Sequence, residues 1–118
     1  MPVRIKRVYE AAATEDGYRV LVDRLWPRGL KKEEVHMDLW AKELSPSTEL
    51  RQWFGHDPGR WEEFRQRYQR ELEEPEAQKI LKELKEKACS ATVTLLYGAK
   101  DEEHNNAVVL RDLLEGKA

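Results

Sequence analysis

The sequence predicts an α/β fold: a small, at least partly parallel sheet of about four strands with helices packed on its faces. The first observation is a pair of strand-like runs near the amino terminus, at residues 3–9 and 18–25. The second is a series of three segments with helical spacing of apolar residues in the middle of the chain. The third is a short apolar run at residues 92–97 with helices predicted before and after it. A buried strand between helices is typical of parallel sheets, whose two faces are covered.

The first two strands are predicted from their patterns of apolar residues. Residues 3–9 alternate apolar and basic side chains, as a half-exposed strand does, and residues 18–25 form a denser apolar run. Asp16 and Gly17 form a turn signal between them, while the alanines at 11–13 are compatible with a helical turn. The connection is therefore either a hairpin or a short parallel crossover, and the sequence leaves both open.

The motif "WPRG" at residues 26–29 ends the second strand, because proline removes a ladder donor and glycine relaxes the backbone. A short helix is predicted around "KKEEV" at residues 31–35. Residues 38–44 alternate in a way that suits a third strand, although the same residues also fit a helix.

Three helices are predicted in the middle of the chain, and a fourth at residues 106–114. Each of the first three begins with a polar or acidic residue followed by proline, at positions 45–46, 57–58 and 74–75. Proline suits the first turn of a helix, and serine and aspartate are common caps before it. Apolar side chains then recur every three or four residues. They are Leu50, Trp53 and Phe54 in the first helix, Trp61, Phe64, Tyr68 and Leu72 in the second, and Ala77, Ile80, Leu81, Leu84 and Ala88 in the third.

Length and composition predict a single domain, residues 1–118, in the cytoplasm. The net charge of -2 and the pI near 6.0 weigh against nonspecific nucleic-acid binding but leave room for a local basic patch. One cysteine forms no internal disulfide, and no basic start precedes a long apolar stretch, so neither secretion nor a membrane span is indicated. The three histidines are too scattered to predict a metal site, and no motif identifies a cofactor.

Polar residues follow two of the predicted strands, where an open α/β sheet binds its ligands. Arginine and lysine in these loops suit a phosphate or a carboxylate, and a carboxylate beside an imidazole can move protons near neutral pH. The sequence therefore predicts a site for a small anionic ligand. Its proposed catalytic residues are Asp23, Asp101 and His104, and its proposed substrate-binding residues are Arg24, Arg28, Tyr97, Lys100, Asn105 and His56.

Structural roles for some of these residues stand beside the functional ones. Asp23 could pair with a neighbouring arginine, and His104 or Asn105 could cap the last helix. Asp57, before the long helix, is most economically a helix cap. Cys89 precedes the last strand and so lies away from the predicted crevice, which favours packing over catalysis.

Three separated segments carry a family resemblance. They are "GYRVLVDRLWPRGLKKE" at residues 17–33, "LSPSTELRQWFGHDPGRWEEFRQRYQREL" at 44–72 and "TLLYGAKDEEHNNAVVL" at 94–110. Together they resemble the YeaO-like proteins, a branch of domain-of-unknown-function family 488. The resemblance covers nearly the whole chain and implies a small bacterial or archaeal protein with an α/β fold and no established activity. The matching positions coincide with the loops selected above and are Asp23, Arg24, Trp26, Pro27, Arg28 and Gly29, then His56, Asp57, Pro58 and Trp61, then Tyr97, Lys100, Asp101, His104 and Asn105.

Three hypotheses of function follow. The preferred one is a small enzyme that acts on an anionic, phosphorylated or nucleotide-like, substrate by acid/base chemistry. The alternative is a non-catalytic binding module for nucleic acid or a protein partner. In the third, the "DRLWPRG" and "HDPGRW" motifs form a buried network of ion pairs and aromatic rings that only stabilises the fold.

Overall fold

A four-stranded, fully parallel sheet forms the centre of the protein. The computed structural model describes residues 3–116. The strands are β1 (Val3–Arg7), β2 (Tyr18–Leu21), β3 (Leu39–Trp40) and β4 (Val93–Tyr97), in the spatial order β1-β4-β2-β3. All three pairings between neighbouring strands are parallel. The predicted α/β fold with an at least partly parallel sheet is confirmed.

The strand that comes last in the chain, β4, lies between β1 and β2. Val93 is opposite Val3 on one side and opposite Tyr18 on the other. All five residues of β4 are buried, which explains its continuous apolar sequence, since both of its faces are covered. The first two strands therefore do not form a hairpin, and their connection is a parallel crossover with β4 inserted between them.

Three strands end earlier than the sequence predicts. β1 and β2 stop once the N–H groups of Val8 and Val22 have made their bonds to carbonyls of β4, at 2.8 and 3.1 Å. The third strand, predicted over residues 38–44, contains only Leu39–Trp40, and Lys42–Leu44 is a 3₁₀ turn. That longer strand was wrong, because the chain leaves β2 after a last hydrogen bond from Ala41.

The described part of the chain, residues 3–116, forms four α-helices: α1 (Thr48–Phe54), α2 (Trp61–Glu71), α3 (Pro75–Ala88) and α4 (Asn106–Leu114). The cap of α1 is Ser47, whose Oγ accepts from the N–H of Leu50 at 3.1 Å, and not Ser45 as predicted. Asp57 is confirmed as a cap, since it accepts from the N–H of Gly59 at 2.9 Å in the 3₁₀ turn that leads into α2. None of the helices in residues 3–116 is long and apolar enough to cross a bilayer.

The two faces of the sheet carry separate hydrophobic cores. All four α-helices contribute side chains to the larger core, together with Val20 and Leu95 of the strands. The neighbouring residues Leu21 and Leu96 point the other way, as strand alternation requires, and belong to the smaller core. The segment between β2 and β3 closes that second core and contains the 3₁₀ turn Lys32–Glu34, where the sequence predicts a short helix.

A buried ion cluster lies beside the turn that precedes β2. The side chain of Asp16 is 2% exposed and contacts the ammonium of Lys6 at 3.1 Å and the guanidinium of Arg19. Burial opposes ionisation of Asp16, but the hydrogen bond from the N–H of Ala13 and the charges of the two cations lower its pKa. The cluster therefore fixes the turn before β2 at the edge of the sheet opposite the predicted ligand site.

Candidate functional site

The two loops predicted to form a site meet at the carboxyl edge of the sheet. Asp23, just after β2, accepts a hydrogen bond from the N–H of Gly98, just after β4, at 2.8 Å. Its second carboxylate oxygen accepts from the amide of Asn106 at 3.1 Å, and that amide also donates to the carbonyl of Val22 at 2.9 Å. A single carboxylate therefore connects the ends of two strands with the start of α4.

A cavity of about 620 Å³ opens over this junction. Its walls come from the loop after β2, from α1 and the turn that follows it, from α2, and from the loop between β4 and α4. This volume lies within the range of small-molecule sites, roughly 300–1,000 Å³. A larger groove of about 790 Å³ runs along α2, α3 and the end of α4, but none of the predicted site residues lines it. The cavity at the sheet edge, named here the edge pocket, is the candidate site.

Six of the nine predicted site residues line the edge pocket: Asp23, Arg24, Arg28, His56, His104 and Asn105. Arg24 and Arg28 are exposed, and within residues 3–116 their guanidiniums make no ion pair or hydrogen bond. The interpretation of the arginine motif as a buried ion-pair network therefore lacks its central contact, a pair between Asp23 and an arginine of its own loop.

Asn105 lines the pocket but its side chain is used for capping. Its Oδ1 accepts from the N–H of Val108 at 3.1 Å, and its Nδ2 donates to the carbonyl of Asp101 at 2.8 Å. With both ends of the amide bonded and only 3% of the residue exposed, Asn105 orders the loop and the start of α4.

Tyr97, Lys100 and Asp101 lie outside the pocket lining. Tyr97 is the last residue of β4, and strand alternation turns its ring into the larger core, where burial raises the pKa of its hydroxyl. Lys100 is exposed on the loop. The sequence could place all three only in a loop next to the strand end, because the direction of each side chain depends on the local backbone.

Asp101 reaches the pocket only through His104. Its Oδ2 lies 2.9 Å from His104 Nδ1, and its Oδ1 accepts from the N–H groups of Glu103 and His104 at 2.9 and 3.0 Å. The hydrogen bond from Glu103 is the main cause of its lowered pKa, and the interactions with His104 act in the same direction. The imidazole also packs edge-on against Trp61, with ring centroids 5.3 Å apart. His104 is therefore oriented from two sides.

Arg51 is a pocket residue that sequence reasoning missed. It lies on α1 and lines the edge pocket, and its Nε is buried without a hydrogen-bond partner. Its guanidinium makes no ion pair within residues 3–116, although its charge acts on Asp23. The only sequence signal was its position three residues before Phe54 in a segment that carries the family resemblance, since arginine on a helix is usually solvated.

The electrostatics of the pocket centre on the carboxyl group of Asp23. Burial raises its pKa, while the hydrogen bonds from Gly98 and Asn106 and the positive charges of Arg51 and His56 act in the opposite direction. His56 itself follows α1 with a φ of 57°, a left-handed conformation that is uncommon outside glycine. This conformation follows Gly55 and places the imidazole at the pocket.

Trp26 is fixed at the pocket by its neighbours. Its indole N–H donates to the carbonyl of Leu30 at 2.7 Å, and its ring packs edge-on against Trp40 at 5.3 Å between centroids. The ring therefore joins the pocket wall to the smaller core. Cys89 is exposed beyond the end of α3 and does not line the pocket. Among residues 3–116 no group of three metal-ligating side chains is arranged to hold an ion.

Comparisons with known proteins agree with the resemblance seen in the sequence. A family model described as the inactive DUF488-N3 subclade matches residues 2–118. The uncharacterised protein YeaO of Escherichia coli is 46% identical over 114 residues, which cover 97% of each chain. An uncharacterised protein of Mycobacterium tuberculosis is 42% identical over 115 residues, 98% of this chain and 95% of the relative. No solved structure matches the chain significantly.

Proposed function

Since the chain belongs to the inactive DUF488-N3 subclade, we propose that it binds a small anionic ligand in the edge pocket and does not transform it. The observation that carries this proposal is the set of three arginines without a carboxylate partner. Arg24, Arg28 and Arg51 all line the pocket, and none of them makes an ion pair within the described residues 3–116. An anion placed among them would supply the hydrogen-bond acceptors that these guanidiniums lack.

Among the three arginines, Arg51 provides the strongest support for anion binding. A surface arginine without a partner is solvated by water and indicates little. The Nε of Arg51 is buried and has no protein acceptor within residues 3–116. Buried donors usually have partners, and a bound anion is the kind of partner that the fold itself does not provide.

The lining chemistry supports binding more than catalysis. The described residues that line the pocket include no serine, threonine, cysteine, tyrosine or lysine, so the side chains there that could act as nucleophiles are Asp23, His56 and His104. Asp23, predicted as a catalytic residue, already accepts one hydrogen bond on each oxygen and holds the two loops together. The description of the family as inactive points the same way.

An acid/base enzyme is the second candidate, and one observation favours it. Asp101 orients His104 at 2.9 Å, and the imidazole faces the pocket, as a general acid or base would. In this alternative His104 exchanges a proton with a substrate held by the arginines, while Asp101 fixes the tautomer of the ring.

Calorimetric titration with pyrophosphate and inorganic phosphate tests the binding proposal. We expect saturable binding that weakens as salt is added. The double variant Arg24→Gln/Arg28→Gln should bind about tenfold or more weakly, because two charge-assisted contacts are lost. Arg70→Gln is the matched control, since Arg70 is exposed on α2 and does not line the edge pocket. Absence of saturable binding, or an equal loss in the control, would contradict the proposal.

Phosphorus NMR of the same mixtures separates the two candidates. Unchanged spectra over many hours are expected of a binding module. Turnover that disappears in His104→Gln, while anion affinity is kept, would establish the enzyme instead.

A further inference from the structure

On the basis of the proposed anion-binding function, we propose that the ligand of the edge pocket is a phosphate monoester dianion that carries an apolar ring. The phosphate would lie among the arginines, and the ring would lie on the exposed side chain of Leu25 and the wall formed by Trp26. The charge, the apolar surface and the size of the pocket each support one part of this description.

The charge of the pocket matches a dianion. Its lining contains three guanidiniums and the single carboxylate of Asp23, which leaves two uncompensated positive charges when the histidines are neutral. A phosphate monoester carries about -1.5 to -2 near neutral pH. A carboxylate or a sulfate ester carries only one charge, and a triphosphate carries more than the arginines compensate. Arginine also matches the geometry of phosphate with two parallel hydrogen bonds.

The apolar surface of the pocket lies at its mouth. Leu25 lines the pocket and is 63% exposed. Phe54 and Phe64 also line it, but they are 5% and 2% exposed and offer a ligand little surface. The apolar surface that a ligand could cover therefore belongs mostly to the loop after β2, beside the exposed arginines.

A second exposed hydrophobic residue lies next to the same loop. Among the described residues, the large hydrophobic side chains that remain exposed are Leu25 and Tyr9, the latter at 42%. The hydroxyl of Tyr9 donates to the carbonyl of Arg28 at 3.0 Å, so its ring stands beside the arginine loop. Tyr9 is not part of the pocket lining, so the exposed apolar surface at the mouth belongs to Leu25.

The volume of the pocket supports a ligand larger than free phosphate. A cavity of about 620 Å³ would be largely empty around an inorganic phosphate but has room for an ester group of ring size. A free small molecule is favoured over the phosphorylated end of a nucleic acid, because the net charge of -2 provides no basic surface for a longer strand.

A series of matched probes tests the proposal by calorimetry on the full chain near neutral pH. Methyl phosphate and phenyl phosphate share a charge and differ in the ring, and phenyl sulfate keeps the ring with one charge less. We expect phenyl phosphate to bind about tenfold or more tightly than methyl phosphate, because the ring removes apolar surface from water. We expect it to bind about fivefold or more tightly than phenyl sulfate, because the arginines meet a dianion.

Leu25→Ala should weaken phenyl phosphate several-fold and leave methyl phosphate unchanged. The exposed position of Leu25 makes loss of folding an improbable explanation, and a thermal melt checks that point.

Each contrary result has a distinct meaning. Equal affinity for methyl and phenyl phosphate would contradict an apolar ring in the ligand. Equal affinity for phenyl phosphate and phenyl sulfate would contradict the preference for a dianion. Both results would leave the proposed anion binding intact. Binding of pyrophosphate without binding of any monoester would overturn this inference alone. A 5′-phosphorylated oligonucleotide that binds more tightly than phenyl phosphate would replace the free small molecule by a nucleic-acid end. Failure of every anion would overturn the proposed function as well.

Discussion

Replacing Arg51 by methionine should separate ligand binding from stability. Methionine keeps an unbranched apolar stem and removes the guanidinium, so the packing of α1 changes little. In the folded protein Arg51 makes no hydrogen bond that the substitution would break, and its Nε is buried without a partner. The loss should therefore appear in the complex with the anion rather than in the free protein.

The magnitudes follow from these contacts. A hydrogen bond between a charged donor and acceptor contributes about 1.5–3 kcal/mol, which corresponds to about 10- to 150-fold in affinity. In the free protein two effects oppose each other. Removing a buried, unpaired donor stabilises by about 1–3 kcal/mol. Loss of the positive charge that favours ionised Asp23 acts in the opposite direction. We expect the free energy of unfolding to change by less than about 1 kcal/mol near pH 7.

The stability change should depend on pH in a defined direction. Burial raises the pKa of Asp23 in the folded state, so its contribution to stability falls as pH rises from the ordinary value of 3.8 through the folded pKa. Loss of Arg51 raises that pKa further. The variant should therefore be less stable relative to wild type near pH 7 than near pH 4, where a larger share of the carboxyl group is protonated in both proteins.

Two assays measure these effects on the same samples: calorimetric titration with phenyl phosphate or pyrophosphate, and urea denaturation near pH 4 and pH 7. Arg70→Met is the control, since this exposed arginine lies on α2 away from the edge pocket. Unchanged anion affinity in Arg51→Met would refute the assignment of Arg51 to the binding site. A loss of more than about 2 kcal/mol of stability near pH 7 would show that its role is structural.

The remaining predictions concern the stability of the fold. Asp16→Asn should lower the free energy of unfolding by about 3–5 kcal/mol in urea denaturation, because it leaves the buried guanidinium of Arg19 unpaired. The control Glu15→Gln, at an exposed neighbouring position, should change that free energy little. Equal effects of the two substitutions would contradict a stabilising role of the Asp16 cluster. Since the pKa of Asp16 is lowered, its stabilisation should be lost as pH falls below its ordinary value of 3.8, and the acid limb of stability should be shallower in Asp16→Asn. Gly17→Ala should lower the free energy of unfolding by about 2 kcal/mol or more, because its φ is +65° and the new Cβ meets the backbone carbonyl of Thr92, just before β4. Gly29→Ala, at a φ of +84° but in open space, should lower it by only about 1 kcal/mol. Thermal melts that rank the two variants otherwise would refute this reasoning. Arg28→Ala should shift the free energy of unfolding by less than about 0.5 kcal/mol, and a sharp drop in melting temperature would restore the structural-network hypothesis.

The elements with strong local signals were predictable from sequence. The apolar periodicity and initial proline of α3 and the buried apolar run of β4 are local properties, and the structure has both close to the predicted positions. The order of the strands was not predictable, because the pairing of β4 with β1 and β2 joins segments that lie far apart in the chain. The third strand was overestimated because Ala41 and Leu44, which lie three residues apart, are buried at a 3₁₀ turn and not by strand pairing.

The site was predictable where topology alone decides it. Strand ends in a parallel sheet share one edge, so Asp23 and Gly98 could be expected to lie close together, and they do. The pattern of apolar and polar residues did not predict the direction of the side chains at the strand end, and Tyr97 faces the larger core. Arg51 was missed for a related reason, since it reaches the pocket from α1, and no sequence rule specifies where that helix packs.

The position of β4 also determines when the protein can fold during synthesis. β1 and β2 emerge first, but within residues 3–116 β1 pairs only with β4, β2 needs β4 to cover one of its two edges, and Asp23 accepts its bond from an N–H group 75 residues later. Contacts this distant in sequence form slowly compared with helical turns. Until the last quarter of the chain is available, β1 has no partner strand, β2 has one unpaired edge and the pocket is not formed, which is the state most exposed to aggregation. Folding and acquisition of the ligand site are therefore one late event, and a chain that ends before residue 93 should achieve neither.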